Sequence, residues 1–331
     1  MPESFRFVIQ GSGNIAATYA EVLDRVDEAE LAGVVSRGGI RPAFAGEAVE
    51  VARSLSGLET PFDGVILATP NGVHHDGAIE AAGLGKHVLT EKVLDVSRAN
   101  MDRMTQACRD AGVTLGVAFQ RRMSPDNRAV RKLLQQGDLG RVFAAELAVK
   151  FYRDQAYYDS AAYRGTRDVD GGGPFMQQAA HNIDIYVWFF GMPARVVSML
   201  DTFAHRIEGE DHGAALLRHP GGMIGSITAS TCCKPGFPAR LALHAEAGSV
   251  VLENDCITQW DVEGRPNPGR AAGFAVHSGA SSAAVSETAG HEAIVRDFVA
   301  AVHEGREPAV PAESARLTTE LVLRIYDGDV G

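Results

Sequence analysis

Apolar residues follow two spacings over residues 1–121. Short apolar runs at 5–9, 31–35, 64–68, 87–89 and 113–119 predict buried strands, and helical spacing begins near 14, after 75 and near 97. Strands that alternate with helices are typical of a parallel sheet covered on both faces. We therefore predict an α/β N-terminal domain over 1–121, a Rossmann fold with a doubly wound parallel sheet.

One unit of this pattern is irregular. Between 36 and 64 the chain carries Gly38, Gly39, Pro42 and Gly46 where a crossover helix is expected. Glycine and proline in a helix interior lower its stability. This crossover helix is predicted to be short or missing.

The pattern changes beyond Arg141. Sheet-forming runs occur at 142–152, 195–200, 213–217, 223–231, 240–245 and 249–253, and His219-Pro220-Gly221-Gly222 is typical of a hairpin turn. These runs predict a second, α+β domain over 122–331 with a mainly antiparallel, open sheet. An open sheet leaves a face to cover, so a homodimer or homotetramer is expected.

Helices are predicted at three places in this second domain. Gly171-Gly172-Gly173-Pro174 precedes an apolar helix from about Phe175, because proline suits a first helical turn. Helices over 291–303 and 313–326 close the chain and are candidates to pack on the first domain. The stretch 266–290, rich in Gly, Ala and Ser, is predicted to be a mobile or interface loop.

Composition narrows the function. The 331 residues carry a formal net charge of −11, which argues against nucleic acid as a partner because phosphates require basic surface. No apolar run could cross a membrane, and the N-terminus lacks a signal-peptide pattern, so a cytoplasmic protein is expected. The four cysteines show no metal-ligand spacing, and no metal site is predicted.

Gly11-Ser12-Gly13-Asn14-Ile15-Ala16 follows a strand and opens a helix. Such a turn admits a dinucleotide pyrophosphate at the helix N-terminus, although a structural turn is the alternative. Ser36-Arg37 stands where NAD-binding chains place an acid. A hydroxyl beside a guanidinium suits a 2′-phosphate, so NADP(H) is favoured over NAD(H), unless Arg37 simply faces solvent.

Two further residues are candidates for chemistry. Lys92 follows a predicted strand, and ligands of open parallel sheets lie at the carboxyl ends of strands. Gln177 and His181 are four apart and would share one helical face. The alternatives are a surface lysine in a salt bridge and a hydrogen-bonded core histidine.

Taken together, these segments resemble the glucose-fructose oxidoreductase and inositol dehydrogenase (Gfo/Idh/MocA) family over essentially the whole chain. The resemblance is carried by the glycine turn, Ala68-Thr69-Pro70-Asn71-Gly72-Val73-His74, Gly85-Lys86-His87-Val88-Leu89-Thr90-Glu91-Lys92, Gly171-Gly172-Gly173 and His181-Asn182-Ile183-Asp184. A narrower resemblance, carried by Tyr157-Tyr158-Asp159-Ser160, Tyr163-Arg164-Gly165-Thr166 and 235–241, is to sugar and nucleotide-sugar dehydrogenases of the UDP-N-acetylglucosaminuronate 3-dehydrogenase type.

The resemblance implies Lys92 and His181 as the catalytic pair, with Gln177 fixing the substrate hydroxyl. The cofactor set that we predict is Gly11, Gly13, Asn14, Ile15, Ser36, Arg37, Thr69, Pro70, Asn71, His74, Glu91, Lys92 and Gln120. The substrate set is Lys92, Arg122, Arg153, Tyr158, Arg164, Gln177 and His181, in which Arg153 and Arg164 would hold a uronate or phosphate.

Two residues depart from the family pattern. Val93 replaces the proline that commonly follows the Glu-Lys pair, which predicts an altered turn at Lys92. Gln177 stands at the family's acidic or asparagine position; because an amide cannot accept a proton as a carboxylate does, His181 would be the sole general base.

The expected activity is hydride transfer between a nicotinamide and a secondary hydroxyl of a sugar, polyol or nucleotide sugar. Family resemblance leaves two alternatives open. One is a redox-neutral NAD-dependent glycosidase, and the other is a non-catalytic NADP-sensing regulatory protein, against which the retention of both Lys92 and His181 argues.

Overall fold

A computed structural model describes residues 4–269, 279–281 and 288–328. The chain forms two compact units. Unit 1 comprises 1–120 and 285–316, and unit 2 comprises 121–284 and 317–331. The first boundary lies one residue before the one predicted between 121 and 122.

Unit 1 is built on a six-stranded parallel sheet in the order β3-β2-β1-β4-β5-β6. The strands are β1 (Phe5–Gln10), β2 (Ala29–Val35), β3 (Glu50–Ala52), β4 (Gly64–Leu67), β5 (His87–Thr90) and β6 (Leu115–Val117). The helices between them are α1 (Asn14–Leu23), α2 (His74–Gly83) and α3 (Arg98–Asp110). This strand order is that of the Rossmann fold, as predicted.

The irregular crossover is confirmed. No α-helix occurs between Ser36 and Gly64; β3 pairs parallel with β2, and a single 3₁₀ turn follows at Leu55–Gly57. Glycine and proline in this stretch make a series of turns less costly than a helix. The edge of the sheet therefore carries a turn-rich segment and the short strand β3 where a helix would otherwise lie.

Unit 2 contains a seven-stranded sheet in the order β13-β12-β11-β7-β10-β9-β8. Its elements are α4 (Pro125–Gln136), β7 (Val142–Lys150), α5 (Gln155–Asp159), α6 (Ala180–Phe190), β8 (Arg195–Asp201), β9 (His212–Arg218), β10 (Ile224–Ser230), β11 (Arg240–Ala245), β12 (Gly248–Glu253) and β13 (Cys256–Val262). Only β7 and β10 pair parallel, so the prediction of a mainly antiparallel sheet is confirmed. The predicted hairpin joins β9 to β10.

The predicted start of the apolar helix was wrong. Helix α6 begins at Ala180, and residues 174–178 form hydrogen-bonded turns, in which Gln177 N donates to Gly173 O (3.1 Å) and Ala179 N to Pro174 O (2.8 Å). The second of these bonds spans five residues, so the chain is wound more widely than an α-helix. Gln177 consequently precedes the helix and does not share a helical face with His181.

Two helices close the chain: α7 (Ala289–Glu304) and α8 (Ala312–Asp327). Helix α7 belongs to unit 1, contacts α1 and β2, and places Phe298 against Phe5 and Phe7, with ring centroids 6.4 and 6.0 Å away. Helix α8 belongs to unit 1 up to Arg316 and to unit 2 from Leu317. Most of the predicted loop over 266–290 lies outside the described residues.

The described residues contain no helix with both the length and the apolar content needed to span a bilayer. One feature of the unit 2 sheet is its exposed apolar side chains on β8, β9 and β10. These side chains are Val197, Met199, Leu216 and Ile224.

Candidate active site

The glycine turn of unit 1 leaves a space that a side chain would fill. Gly11 has φ +138°, and a Cβ on it would lie 2.4 Å from Ala68 O, so this position requires glycine. At Gly13 a Cβ would meet no described atom within 4 Å. Helix α1 begins after Gly13 with no side-chain cap and no acid in its first turn. Its first backbone N–H groups can therefore receive a phosphate, with Asn14 and Ile15 as the first residues.

Two buried polar atoms follow the carboxyl ends of strands β4 and β6, which lie on either side of β5 in the sheet. Thr69 Oγ1 follows β4 and Gln120 Oε1 follows β6, and neither has a hydrogen-bond partner among the described residues. A buried polar atom without a partner costs free energy, so each is suited to a polar ligand. Together with the glycine turn, these atoms fit a dinucleotide cofactor at this edge of the sheet.

Lys92 lies in the turn that follows β5. Glu91 is buried before it and accepts hydrogen bonds from Tyr19 Oη (2.7 Å) and from Lys92 N (3.1 Å). Burial, reinforced by the Glu91 carboxylate, raises the pKa of Tyr19, which stays a phenol donor. The Lys92–Val93 peptide bond is cis, and the Lys92 side chain is half-buried.

His74 connects this turn to the end of β4. Its imidazole is fully buried, with Nδ1 2.8 Å from Val93 O and Nε2 3.0 Å from Thr69 O. Burial lowers the pKa of His74, while the two carbonyls act in the opposite direction. His74 therefore lies inside the protein between the two turns that carry Lys92 and the Thr69-Pro70-Asn71 segment, and as a neutral imidazole it donates a hydrogen bond to one of the two carbonyls.

Ser36 and Arg37 follow β2 in a turn closed by a hydrogen bond from Gly39 N to Ser36 O (2.7 Å). Ser36 is buried and Arg37 is exposed. Arg37 forms no ion pair with any residue that the structure describes. The turn therefore presents an uncompensated positive charge beside a buried hydroxyl.

The unit 2 candidates centre on Gln177 and His181. His181 is the second residue of α6 and is half-buried. Gln177 Nε2 donates to Asp170 Oδ1 (2.7 Å) and to Asp170 O, and Asp170 Oδ2 accepts from Gly165 N (2.8 Å). Because both Asp170 partners are acceptors, the NH₂ group must face them, and the amide oxygen of Gln177 points away from Asp170.

Asp170 was missed at the sequence level. Its side chain is buried beside the glycine cluster. The sequence signal that was available is Asp170-Gly171-Gly172-Gly173, because a carboxylate that is buried next to flexible backbone needs specific hydrogen-bond donors. Asp170 supplies a carboxylate next to Gln177, seven residues earlier in the chain than the position where the family pattern predicts an acid.

Arg122 has an internal partner. Its Nε and Nη2 donate to the two carboxylate oxygens of Asp184 at 2.7 and 2.6 Å, and the two side chains are 2% and 0% exposed. Thr318 Oγ1 donates to the same carboxylate (2.9 Å). A paired, buried guanidinium serves the interior of unit 2, and we leave Arg122 out of the substrate set.

Arg153 and Tyr158 are also held internally. Arg153 donates to Tyr152 O (2.6 Å) and Gly279 O (2.7 Å), and burial lowers its pKa. The Tyr158 hydroxyl lies 2.7 Å from Thr231 Oγ1, and burial raises its pKa. These contacts hold backbone segments of unit 2 together.

Arg164 differs, because it is half-buried against an aromatic ring. Its Cζ lies 4.4 Å from the Tyr157 ring centroid and its Nη1 donates to Tyr157 Oη (2.8 Å). These contacts orient the guanidinium plane. Lys92 belongs to unit 1 and His181 and Gln177 to unit 2, and their joint action stays a prediction.

Within the described residues, no group of three or more His, Cys, Asp or Glu side chains could hold a metal ion. All four cysteines are free thiols, and burial raises the pKa of Cys108 to about 12.

Two family models match the chain. Residues 5–119 match the oxidoreductase family with an NAD-binding Rossmann fold, and residues 127–251 match the GFO/IDH/MocA C-terminal domain. The WlbA dehydrogenase from Bordetella pertussis, solved with NADH and UDP-GlcNAcA, is 29% identical with a TM-score of 0.85, over 98% of this chain and 96% of that chain.

Two curated proteins are also similar to this chain. Inositol 2-dehydrogenase of Rhizobium meliloti (strain 1021) is 24% identical over 257 residues, 75% of this chain and 76% of that protein. The scyllo-inositol 2-dehydrogenase (NADP(+)) IolW of Bacillus subtilis (strain 168) is 25% identical over 187 residues, 56% of this chain and 51% of that protein. The relatives therefore include one that was solved with NADH and one that is named for NADP(+).

Proposed function

Because the chain belongs to the GFO/IDH/MocA family of oxidoreductases, we propose that it transfers a hydride between a nicotinamide cofactor and a secondary hydroxyl of a sugar, polyol or nucleotide sugar. The observation that carries the proposal is the turn of Lys92, which contacts His74 and Glu91. This turn lies at the carboxyl ends of the strands, as do the glycine turn and the buried atoms Thr69 Oγ1 and Gln120 Oε1, which have no described partner. When bound there, the nicotinamide supplies the hydride acceptor or donor.

Three side chains act on the reacting hydroxyl in this proposal. The Lys92 ammonium donates a hydrogen bond that stabilises developing alkoxide charge, and His181 takes the hydroxyl proton. Gln177 accepts a hydrogen bond through its amide oxygen and so orients the hydroxyl. Asp170 supports this step as a positioning residue, since it holds the NH₂ side of the Gln177 amide.

NADP(H) is the cofactor that we favour, with NAD(H) as the alternative. The support is the buried Ser36 hydroxyl beside the exposed Arg37, which pairs with no described residue and stands where a carboxylate would hold the 2′-hydroxyl of NAD. The proposal keeps the predicted cofactor set, with His74 acting through the two turns that it lies between.

The substrate class rests on Arg164 and on the similarity to WlbA. A guanidinium stacked on Tyr157 suits a carboxylate or phosphate, which a nucleotide-sugar uronate would provide. Neutral sugars and inositols are the alternative substrates. We also propose a homodimer or homotetramer in which the exposed apolar face of β8, β9 and β10 is covered.

The test is a nicotinamide absorbance assay with NAD and NADP separately, in both directions, across free sugars, inositols, glycosides and nucleotide-sugar uronates. Reduction of one cofactor with a single substrate class is the expected outcome. Release of an aglycone without net cofactor reduction would replace the proposal with a redox-neutral glycosidase. Tight cofactor binding with no turnover on any substrate would instead favour a non-catalytic NADP-sensing regulatory protein.

A further inference from the structure

Arg53 lies beside the turn that carries Ser36 and Arg37. It directly follows β3, whose last residue Ala52 pairs with Val35 at the end of β2, and Ser36 N donates to Ala52 O (3.0 Å). The carboxyl ends of two adjacent parallel strands therefore deliver Ser36-Arg37 and Arg53 to the same corner of the sheet.

The Arg53 side chain lies across the turn. A Cβ placed on Gly39 would be 3.0 Å from Arg53 Nε and 3.2 Å from Arg53 Cγ. Gly39 has φ +64° and closes the turn through its hydrogen bond to Ser36 O. Glycine at this position thus permits the stem of Arg53 to pack on the backbone next to Arg37.

Neither arginine is neutralised inside the protein. Arg37 and Arg53 are exposed, and neither forms an ion pair or hydrogen bond with a described residue. Glu50, the first residue of β3, is engaged elsewhere, because its carboxylate accepts from Glu59 N (3.0 Å) and Thr60 N (2.8 Å). In a chain of net charge −11, two uncompensated guanidinium groups on one corner form a local anion site.

The missing crossover helix explains why Arg53 can take this place. A turn-rich segment that ends in β3 replaces the helix and brings Arg53 alongside the end of β2. Guanidinium groups bind phosphate through paired N–H donors, and two of them beside a hydroxyl match a terminal phosphate better than a neutral ribose hydroxyl.

We infer that Arg53 is a cofactor-specificity residue which, with Ser36 and Arg37, binds the 2′-phosphate of NADP(H). The inference rests on the proposed function only in taking a nicotinamide dinucleotide as the ligand. A different role for Arg53, stacking on the adenine ring, would strengthen binding of NAD(H) and NADP(H) equally, because both carry the same base.

The experiment measures dissociation constants of NADPH and NADH, and of adenosine 2′,5′-bisphosphate and adenosine 5′-monophosphate, by calorimetry at constant ionic strength. Arg53→Ala is expected to weaken NADPH and the bisphosphate about tenfold or more, with less than about twofold change for NADH and the monophosphate. Arg53→Lys should give an intermediate loss, since lysine keeps the charge without the fork.

Arg103→Ala is the matched control, because Arg103 is an exposed arginine of unit 1 on α3 and its removal changes the net charge equally. Its NADPH affinity should match that of the parent protein. Equal losses for NADPH and NADH in Arg53→Ala, or no loss, would overturn the inference. Absence of turnover on every substrate, with the NADPH-selective loss retained, would remove the proposed function and leave the Arg53 assignment standing.

Discussion

Four arginines, two from each unit, lie in opposite environments. In unit 2, Arg122 is enclosed with Asp184 and Arg153 donates to backbone carbonyls, so both guanidinium groups have partners within the protein. In unit 1, Arg37 and Arg53 are exposed at neighbouring strand ends and pair with no described residue. Residue type alone made Arg37, Arg122 and Arg153 candidates for an anionic ligand, and only the structure added Arg53. Their partners separate the two pairs.

The difference follows from desolvation. Burying a charge costs free energy unless a partner compensates it, so Arg122 and Asp184 are retained together or lost together. An exposed guanidinium pays no such cost and keeps its donors available. Buried carboxylate or backbone partners therefore mark Arg122 and Arg153 as arginines of the fold, whereas Arg37 and Arg53, exposed at strand ends, keep their donors available for a ligand.

The largest effect is expected from breaking the Arg122–Asp184 pair. Arg122→Met leaves the Asp184 carboxylate buried with only Thr318 as a described donor, and should reduce the free energy of unfolding by about 3–5 kcal/mol. Urea denaturation measures this loss. Arg122→Met with Asp184→Leu should recover much of it. Unchanged stability with a raised KM would return Arg122 to the substrate set.

Lys92→Met tests a cation that is expected to act in the reaction and not to stabilise the fold, in contrast to Arg122. We expect turnover to fall by about 100- to 1,000-fold. NADPH affinity and the free energy of unfolding should stay close to those of the parent protein. Normal turnover would sink the assignment of Lys92, and a large loss of stability would assign it to the fold.

Asp211 is an anion of unit 2 that accepts hydrogen bonds from within the protein. Its carboxylate is buried, which disfavours ionisation, yet donors including Phe203 N (2.8 Å), Ala204 N and His205 hold its pKa below the ordinary value of 3.8. The stabilisation is therefore present above pH 3.8 and is lost as pH falls through the lower folded-state pKa.

Asp211→Asn should lower the free energy of unfolding at pH 7 by about 1–3 kcal/mol. The gap between variant and parent should narrow as the pH is lowered through that window, which denaturant titrations at several pH values would show. A gap that is constant with pH would mean that the charge of Asp211 does not contribute.

The smallest effect is expected at the Asp170–Gln177 contact. Asp170→Asn removes the charge that holds the Gln177 NH₂ group, so kcat and kcat/KM should fall together by about three- to tenfold, as one hydrogen bond to the reacting hydroxyl is misaligned. Asp168→Asn, at an exposed position two residues earlier, is the control. A lower melting temperature with unchanged kcat would reduce Asp170 to a structural residue.

Sequence reasoning succeeded where a local pattern reports on structure. Apolar runs predicted the parallel sheet of unit 1 and all of its strands except β3, and the glycines and proline after Ser36 predicted the missing helix. It missed α4, because the inward face of that helix is partly polar: Asp126 accepts from Ile257 N (2.7 Å) and Asn127 donates to Asp255 (3.0 Å). It also missed β13, an edge strand with few buried side chains.

The sequence by itself determined the class of fold, the glycine turn at the start of α1 and the position of Lys92 after a strand, since each depends on residues close together in the chain. Only the tertiary structure decided which charges have partners. Asp184 meets Arg122 from 62 positions away, and Arg53 reaches the Ser36 turn because two parallel strands end side by side. Such pairings depend on sheet order and helix packing, and neighbouring residues do not encode them.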